Sequence, residues 1–149
     1  MTENAMGGRI VVGVDGSESS KAALRWAARI LAATGGFIDA VIAWQPPPYY
    51  GWGYVGAEWN PEDEARKVLT AAVDEAFGAD RPIGTRLTVQ RGNPAKVLLD
   101  QSKDATLLVV GSRGHGGFAG LLLGSVSAPC AEHATCPVLV CHGEDDKTS

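Results

Sequence analysis

Apolar and polar positions divide the chain into short apolar runs separated by longer segments of helical period. "RIVVGVD" (Arg9 to Asp15) is a β-branched run that ends in a turn and predicts a first strand. Ser17 to Thr34 follows with Ala22, Ala23, Trp26, Ala27, Ile30 and Leu31 in one helical stripe. Ser17 suits the N-cap, Glu18 the positive end of the helix, and Gly35 with Gly36 its termination. "FIDAVIAW" (Phe37 to Trp44) predicts a second strand. The stretch after it, "QPPPYYGWGYVGAEWN", carries three prolines and three glycines and forbids regular structure.

Asn60 and Pro61 open another helix as N-cap and first position, extending to Phe77. "TRLTVQ" (Thr85 to Gln90) is a strand with polar alternation. "NPAKVLLDQSK" is a short helix capped by Asn93. "ATLLVVG" (Ala105 to Gly111) reads as a buried strand. "FAGLLLGSVSAPCAEHA" predicts a mostly helical segment in which Pro129 starts or kinks a turn, and "PVLVC" (Pro137 to Cys141) predicts a last strand. Strands alternating with helices imply an α/β fold, a single doubly wound domain with a parallel sheet and helices on both faces. The domain is expected over 9–142, between a flexible N-terminus (1–8) and a flexible acidic tail (143–149).

A length of 149 residues suits one domain, and a chain of that size buries about 70% of its unfolded surface without needing staples. The net charge of -4, with no basic block, argues against a nucleic-acid-coating protein. Cys130, Cys136 and Cys141 form neither a disulfide framework nor a zinc pattern, and His115, His133 and His142 do not supply ligand spacing; buried thiols in a reducing cytosol are expected. "MTENAMGG" lacks the basic and apolar regions of a secretory signal, and no apolar run approaches the ~18 residues of a membrane span. A cytoplasmic protein without membrane attachment is the expectation.

Glycines crowd the stretch "GSRGHGGFAGLLLGSVS" (Gly111 to Ser127). Glycine is entropically costly, so a bare backbone must be needed there. In an open α/β sheet, ligands bind beyond the carboxyl ends of the strands where the strand order reverses. With the order 3-2-1-4-5, the turns "GVDGS" and "GSRGHGG" flank that point. Glycines let backbone N–H groups approach an anion, and a following helix N-terminus adds positive potential. Ser125 could donate to a phosphate, and Asp15 could bind ribose hydroxyls or a phosphate-bound magnesium ion. The blander roles are a turn-shaping Asp15, a solvated Arg113, an exposed His115 and a capping Ser125. No Gly-Lys-Ser/Thr follows the glycines, so this is not the common phosphate loop.

Gly111-x2-Gly114-x9-Gly124-Ser125 resembles the ATP-binding signature of the universal stress protein family. "IVVGVDGSESSKAALRWA" and "CPVLVC" are similar to that family's opening and closing segments, so the resemblance covers nearly the whole chain. It implies a five-stranded parallel sheet of Rossmann-like kind with an adenine-nucleotide cleft. Carried over by position, Gly111, Gly114, Gly124 and Ser125 would wrap ribose and phosphates. Ser112, Arg113, Gly117, Val126 and Ser127 would flank them with backbone or hydroxyl contacts. Gly13 and Asp15 would contact the nucleotide, and the backbone near Ala43 and Trp44 would pair with the adenine edge.

The implied ligand is ATP or another adenine nucleotide, with magnesium. The implied assembly is a homodimer through Pro137 to Cys141, and the implied role is nucleotide-gated regulation in stress or dormancy adaptation through an unknown protein partner. Two alternatives stand beside it: a weak ATPase or autophosphorylating protein using Ser125 or Ser127, and a nucleotide-free dimeric scaffold. The aromatic loop 44–59 could be a lid on the adenine, a partner-binding patch, or a loop folded onto its own domain.

Overall fold

Ile10, Val11 and Val12 are almost wholly shielded from water on both faces of the sheet, which is why this run alternates so little in polarity. They belong to β1 (Arg9–Gly13) in a computed structural model that describes residues 8–46, 60–113 and 124–143. Along the chain follow α1 (Glu18–Thr34), β2 (Phe37–Trp44), α2 (Pro61–Phe77), a 3₁₀ turn (Gly78–Asp80), β3 (Arg86–Arg91), α3 (Pro94–Gln101), β4 (Leu107–Gly111), α4 (Ser127–His133) and β5 (Val138–Cys141). The five strands are parallel in the order β3-β2-β1-β4-β5, with Ile10 opposite Ile38 on one side and Leu107 on the other. The doubly wound sheet expected from the alternation of strands and helices is therefore the fold. No described helix is long and apolar enough to cross a membrane.

Two apolar layers cover the sheet. Ile10, Val12, Ile38, Ala40 and Ile42 face α1 and α2, packing on Leu24, Leu69 and Val73. Val11, Val41, Leu108 and Val110 face the other way, toward Val97 and Leu98 of α3 and Cys130 of α4. The period-2 geometry of a strand assigns neighbouring residues to opposite layers. Each fully buried Ile, Leu or Val contributes roughly 1.5–3 kcal/mol.

Helix starts follow their caps. Ser17 accepts from the Ser20 N–H, Asn60 from Glu62 and Asp63, and Asn93 from Lys96, while Pro61 and Pro94 occupy first-turn positions. Lys21 joins α1 to α2 through Glu75 at 2.8 Å and also reaches Glu18 at 3.1 Å. The Glu75 and Glu18 carboxylates raise the Lys21 pKa, and the Lys21 ammonium lowers that of Glu75.

The stripe expected on α1 is corrected at Trp26. Ala22, Ala23 and Ala27 are buried, with Ile30 and Leu31 packed at the margin, but Trp26 is 45% exposed. Small side chains seat α1 close to the sheet, and the indole is displaced to a groove beside Leu139 and Val140 of β5. The Arg29 guanidinium stacks there, 4.7 Å from the ring centroid.

The predicted helix before the last strand is shorter where it is described. Gly124 to Val126 are not helical, and α4 begins at Ser127. Pro129 lies inside its first turn, where a missing N–H has no intrahelical partner to lose, so it neither starts nor kinks the helix. Two glycines assigned by composition to the termini are tied into the domain. The Gly8 carbonyl accepts from the Phe37 N–H at 3.2 Å, and Gly143 is buried against the first turn of α1.

Asp39 stands in the middle of an apolar strand with its side chain 1% exposed. Arg9 approaches it at 3.2 Å and donates onward to the Gln101 carbonyl at 2.7 Å; Thr88 donates to its other oxygen at 2.7 Å. A buried carboxylate persists only with such partners. Removing the Arg9 charge while keeping its bulk, as in Arg9→Met, is expected to cost about 3 kcal/mol by urea unfolding. A loss below about 1 kcal/mol would mean that water replaces the arginine.

Candidate functional site

β1 and β4 are neighbours, the helices α1 and α4 pack on opposite faces of the sheet, and a cleft opens beyond the carboxyl ends of the two strands. Its cavity volume is about 50 Å³, and it is partly open to solvent. Its lining combines apolar groups, Val41, Ala43, Pro94, Leu98, Val110 and Val126, with polar ones, Asp15, Ser17, Ser20, Arg113 and Ser127, and includes Gly13 and Gly111 at the strand ends.

The β1 turn is built by its own side chains. Gly16 adopts φ 86°, a left-handed conformation that favours glycine. That turn lets the Asp15 carboxylate accept from both the N–H of Ser17 at 2.9 Å and its hydroxyl at 2.6 Å. The Ser20 hydroxyl accepts from the Asp15 N–H at 3.3 Å and donates to the Ser17 carbonyl. Asp15 is thus exposed at the mouth yet held in place.

The β4 side is built from a second set of hydroxyls. The Ser112 N–H donates to the Cys141 carbonyl at 2.7 Å, which fastens the turn to β5. The Gly124 N–H reaches the Ser112 carbonyl at 2.7 Å and the Ser127 hydroxyl at 2.9 Å, and that hydroxyl donates back to Ser112 at 3.0 Å. Ser112 and Ser127 are buried, so this clasp brings the chain after β4 back to the start of α4 in a water-poor setting. The Ser112 hydroxyl itself is buried and has no hydrogen-bond partner among the described residues.

Of the residues singled out from sequence, Gly13, Asp15, Gly111, Arg113, Val126 and Ser127 line the cleft, as does Ala43. Ser112 and Gly124 support it from behind through the clasp, and Ser125 is exposed beside it. Gly114, Gly117 and His115 lie outside the described residues, as does most of the aromatic loop 44–59. Trp44 does not line the cleft. Its side chain packs in the α1–α2 layer, opposite the side that Ala43 presents, with the Arg91 guanidinium 5.7 Å from its ring centroid. Its carbonyl accepts from the Gly92 N–H at 2.8 Å.

Pro94, Leu98, Ser17 and Ser20 were not singled out. Pro94 and Leu98 lie four residues apart on α3, so both face one way, but nothing local distinguishes a cleft wall from core. Burial lifts the thiol pKa of Cys130 and Cys141 to about 11, and Cys136 is raised by the same cause. None is poised as a nucleophile at neutral pH.

Residues 6–142 match the model of the universal stress protein family. The universal stress protein Rv2005c of Mycobacterium tuberculosis (strain ATCC 25618 / H37Rv) is 38% identical over 147 residues, covering 91% of this chain and 48% of that protein. The chain spans about half the length of the curated relatives it matches. A crystal structure of a universal stress protein in complex with cAMP superposes with a TM-score of 0.71 at 28% identity, covering 93% of this chain and 99% of that one. A universal stress protein family protein from Arabidopsis thaliana with AMP bound shares the fold, with a TM-score of 0.59 at 20% identity and 95% of each chain covered.

Gly111 has a structural requirement independent of any ligand. A Cβ built there would meet the Ser19 hydroxyl and lie 2.7 Å from the Ser19 carbonyl carbon and 2.8 Å from the Ser20 nitrogen. Gly111→Ala is therefore expected to lose about 2 kcal/mol of stability, read by denaturant unfolding. An unchanged midpoint would show that α1 can withdraw from the strand.

Proposed function

The chain belongs to the universal stress protein family, and we propose that it binds an adenine nucleotide in the β1–β4 cleft. On this reading it is a nucleotide-responsive regulatory protein of stress or dormancy adaptation. The observation that carries the reading is the combination of apolar and polar groups lining one cleft at the switch point of the sheet. Val41, Ala43 and Leu98 suit the faces of a purine. The Asp15 carboxylate, fixed by Ser17, suits ribose hydroxyls as an acceptor. The turn that starts at Gly111 offers backbone groups and the Arg113 side chain to phosphates.

The residues present also fit a magnesium ion carried by the nucleotide. Magnesium keeps several waters and is held by one or two carboxylates together with phosphates, a role open to Asp15. Such an ion would neutralise phosphate charge. Ser127 is a poor phosphoryl acceptor, because its hydroxyl is buried and engaged with both Gly124 and Ser112. This favours binding over transfer at that residue. Regulation follows if the nucleotide binds two conformations or assemblies with unequal affinity.

The dimer reading rests on β5, which lies at the edge of the sheet. Pro137 and Cys141 direct their carbonyls toward β4, so strand alternation turns the backbone groups of Val138 and Val140 to the open side. On this reading that edge pairs with a second copy.

Nucleotide released from the purified, heat-denatured protein and identified by mass spectrometry tests the binding reading first. Adenine nucleotide is expected. Protein that is empty and also fails to bind added ATP, AMP or cAMP with magnesium overturns it. Ala43→Leu, which extends into the cleft, is expected to weaken binding at least about tenfold without changing the circular dichroism spectrum. Val140→Pro, which removes one outward N–H, should give a monomer by light scattering at concentrations where the parent is dimeric; an unchanged dimer would place the interface elsewhere.

A further inference from the structure

Ser19 joins the two turns that form the cleft, although it lines neither. It sits in the first turn of α1 and is 5% exposed. Its hydroxyl donates to the Arg113 carbonyl at 2.6 Å and accepts from the Arg113 N–H at 3.4 Å. One side chain thus engages both backbone groups of a residue 94 positions away, much as a neighbouring strand would. The hydroxyl lies 3.5 Å from that of Ser17, which donates to Asp15. The two hydroxyls therefore lie side by side, one donating to the Asp15 carboxylate and the other to the Arg113 backbone.

The surrounding backbone accommodates this contact. A Cβ at Gly111 would strike Ser19, and one at Gly143 would come within 3.0 Å of the Ser19 nitrogen. The end of β4 and the segment after β5 both close around this serine, which leaves it little freedom. Arg113 lines the cleft on the side of the turn that follows β4, while Val41 and Ala43 form the far wall on β2.

We propose that Ser19 is a positioning residue for the polyphosphate end of the ligand. It locks the Arg113 backbone so that this residue meets the phosphates at no further ordering cost. The inference rests on the nucleotide reading of the cleft and adds to it a specific division of labour. Losing Ser19 should damage recognition of phosphates and leave recognition of adenosine intact. A preformed turn strengthens binding by removing the entropy of ordering it.

The test compares ATP and adenosine as probes by calorimetry with the full chain and magnesium. Ser19→Ala is expected to lose about tenfold in ATP affinity, the equivalent of one well-made hydrogen bond, and less than about twofold for adenosine. ATP affinity within twofold of the parent overturns the proposal. So does a parallel fall for both probes, which is what a merely structural role would produce. If Ser19→Ala does not fold, Ser19→Cys fills the site with a weak donor and is read by the same criteria. Parent protein that binds neither probe overturns the nucleotide reading and this inference together; a parent that binds ATP with an unaltered Ser19→Ala variant overturns only the inference.

Discussion

The close approach of the first turn of α1 to the carboxyl end of β4 is the constraint on which the described architecture turns. Gly111 permits it, because any side chain there would meet the backbone of Ser19 and Ser20. Through that contact the β1 turn, the β4 turn and the exit from β5 share one small region: Ser19 engages Arg113, Ser112 engages Cys141, and Gly143 packs on Ser19. Moving the helix by the length of a methyl group would break the contacts of Ser19 with Arg113 and Gly143. The cleft is therefore a consequence of tight packing around it, and the clasp of Ser112, Gly124 and Ser127 behind it is shielded from water.

The same economy of volume governs α1 along its length. Ala22, Ala23 and Ala27 carry little bulk and are buried against the core. The larger Trp26 is excluded to the groove beside β5, where Arg29 covers part of it. On the opposite layer, Asp39 interrupts an apolar strand and is retained through Arg9 and Thr88. Asp39 thus takes its partners from other elements, whereas the stacking partner of Trp26 comes from its own helix.

Much of the fold was legible in the sequence. β-branched runs, helix caps at Ser17, Asn60 and Asn93, and the alternation of strands with helices are local signals, and they placed all five strands and the helices between them. Part of the cleft was legible too: Gly13, Asp15, Gly111 and Arg113 flank the strand ends as expected. Ala43 and Trp44 were taken together for their backbone, and the pleat turns their side chains to opposite layers. Pro94 and Leu98 were missed because a cleft wall and a core face show the same helical spacing. Ser19 was missed because one serine among "SESS" has no local mark of a long-range bond.

By itself, then, the sequence determined the elements, their order along the chain and the family, because capping, periodicity and glycine spacing act over a few residues or survive as a recognisable pattern. Only the tertiary structure decided why Gly111 must be glycine, which hydroxyls carry the cleft, and where Trp26 and Asp39 find their partners. Those answers depend on pairs such as Ser19 with Arg113 and Arg9 with Asp39, which are 94 and 30 positions apart. Their proximity exists only once the parallel sheet has closed, and no local propensity encodes it.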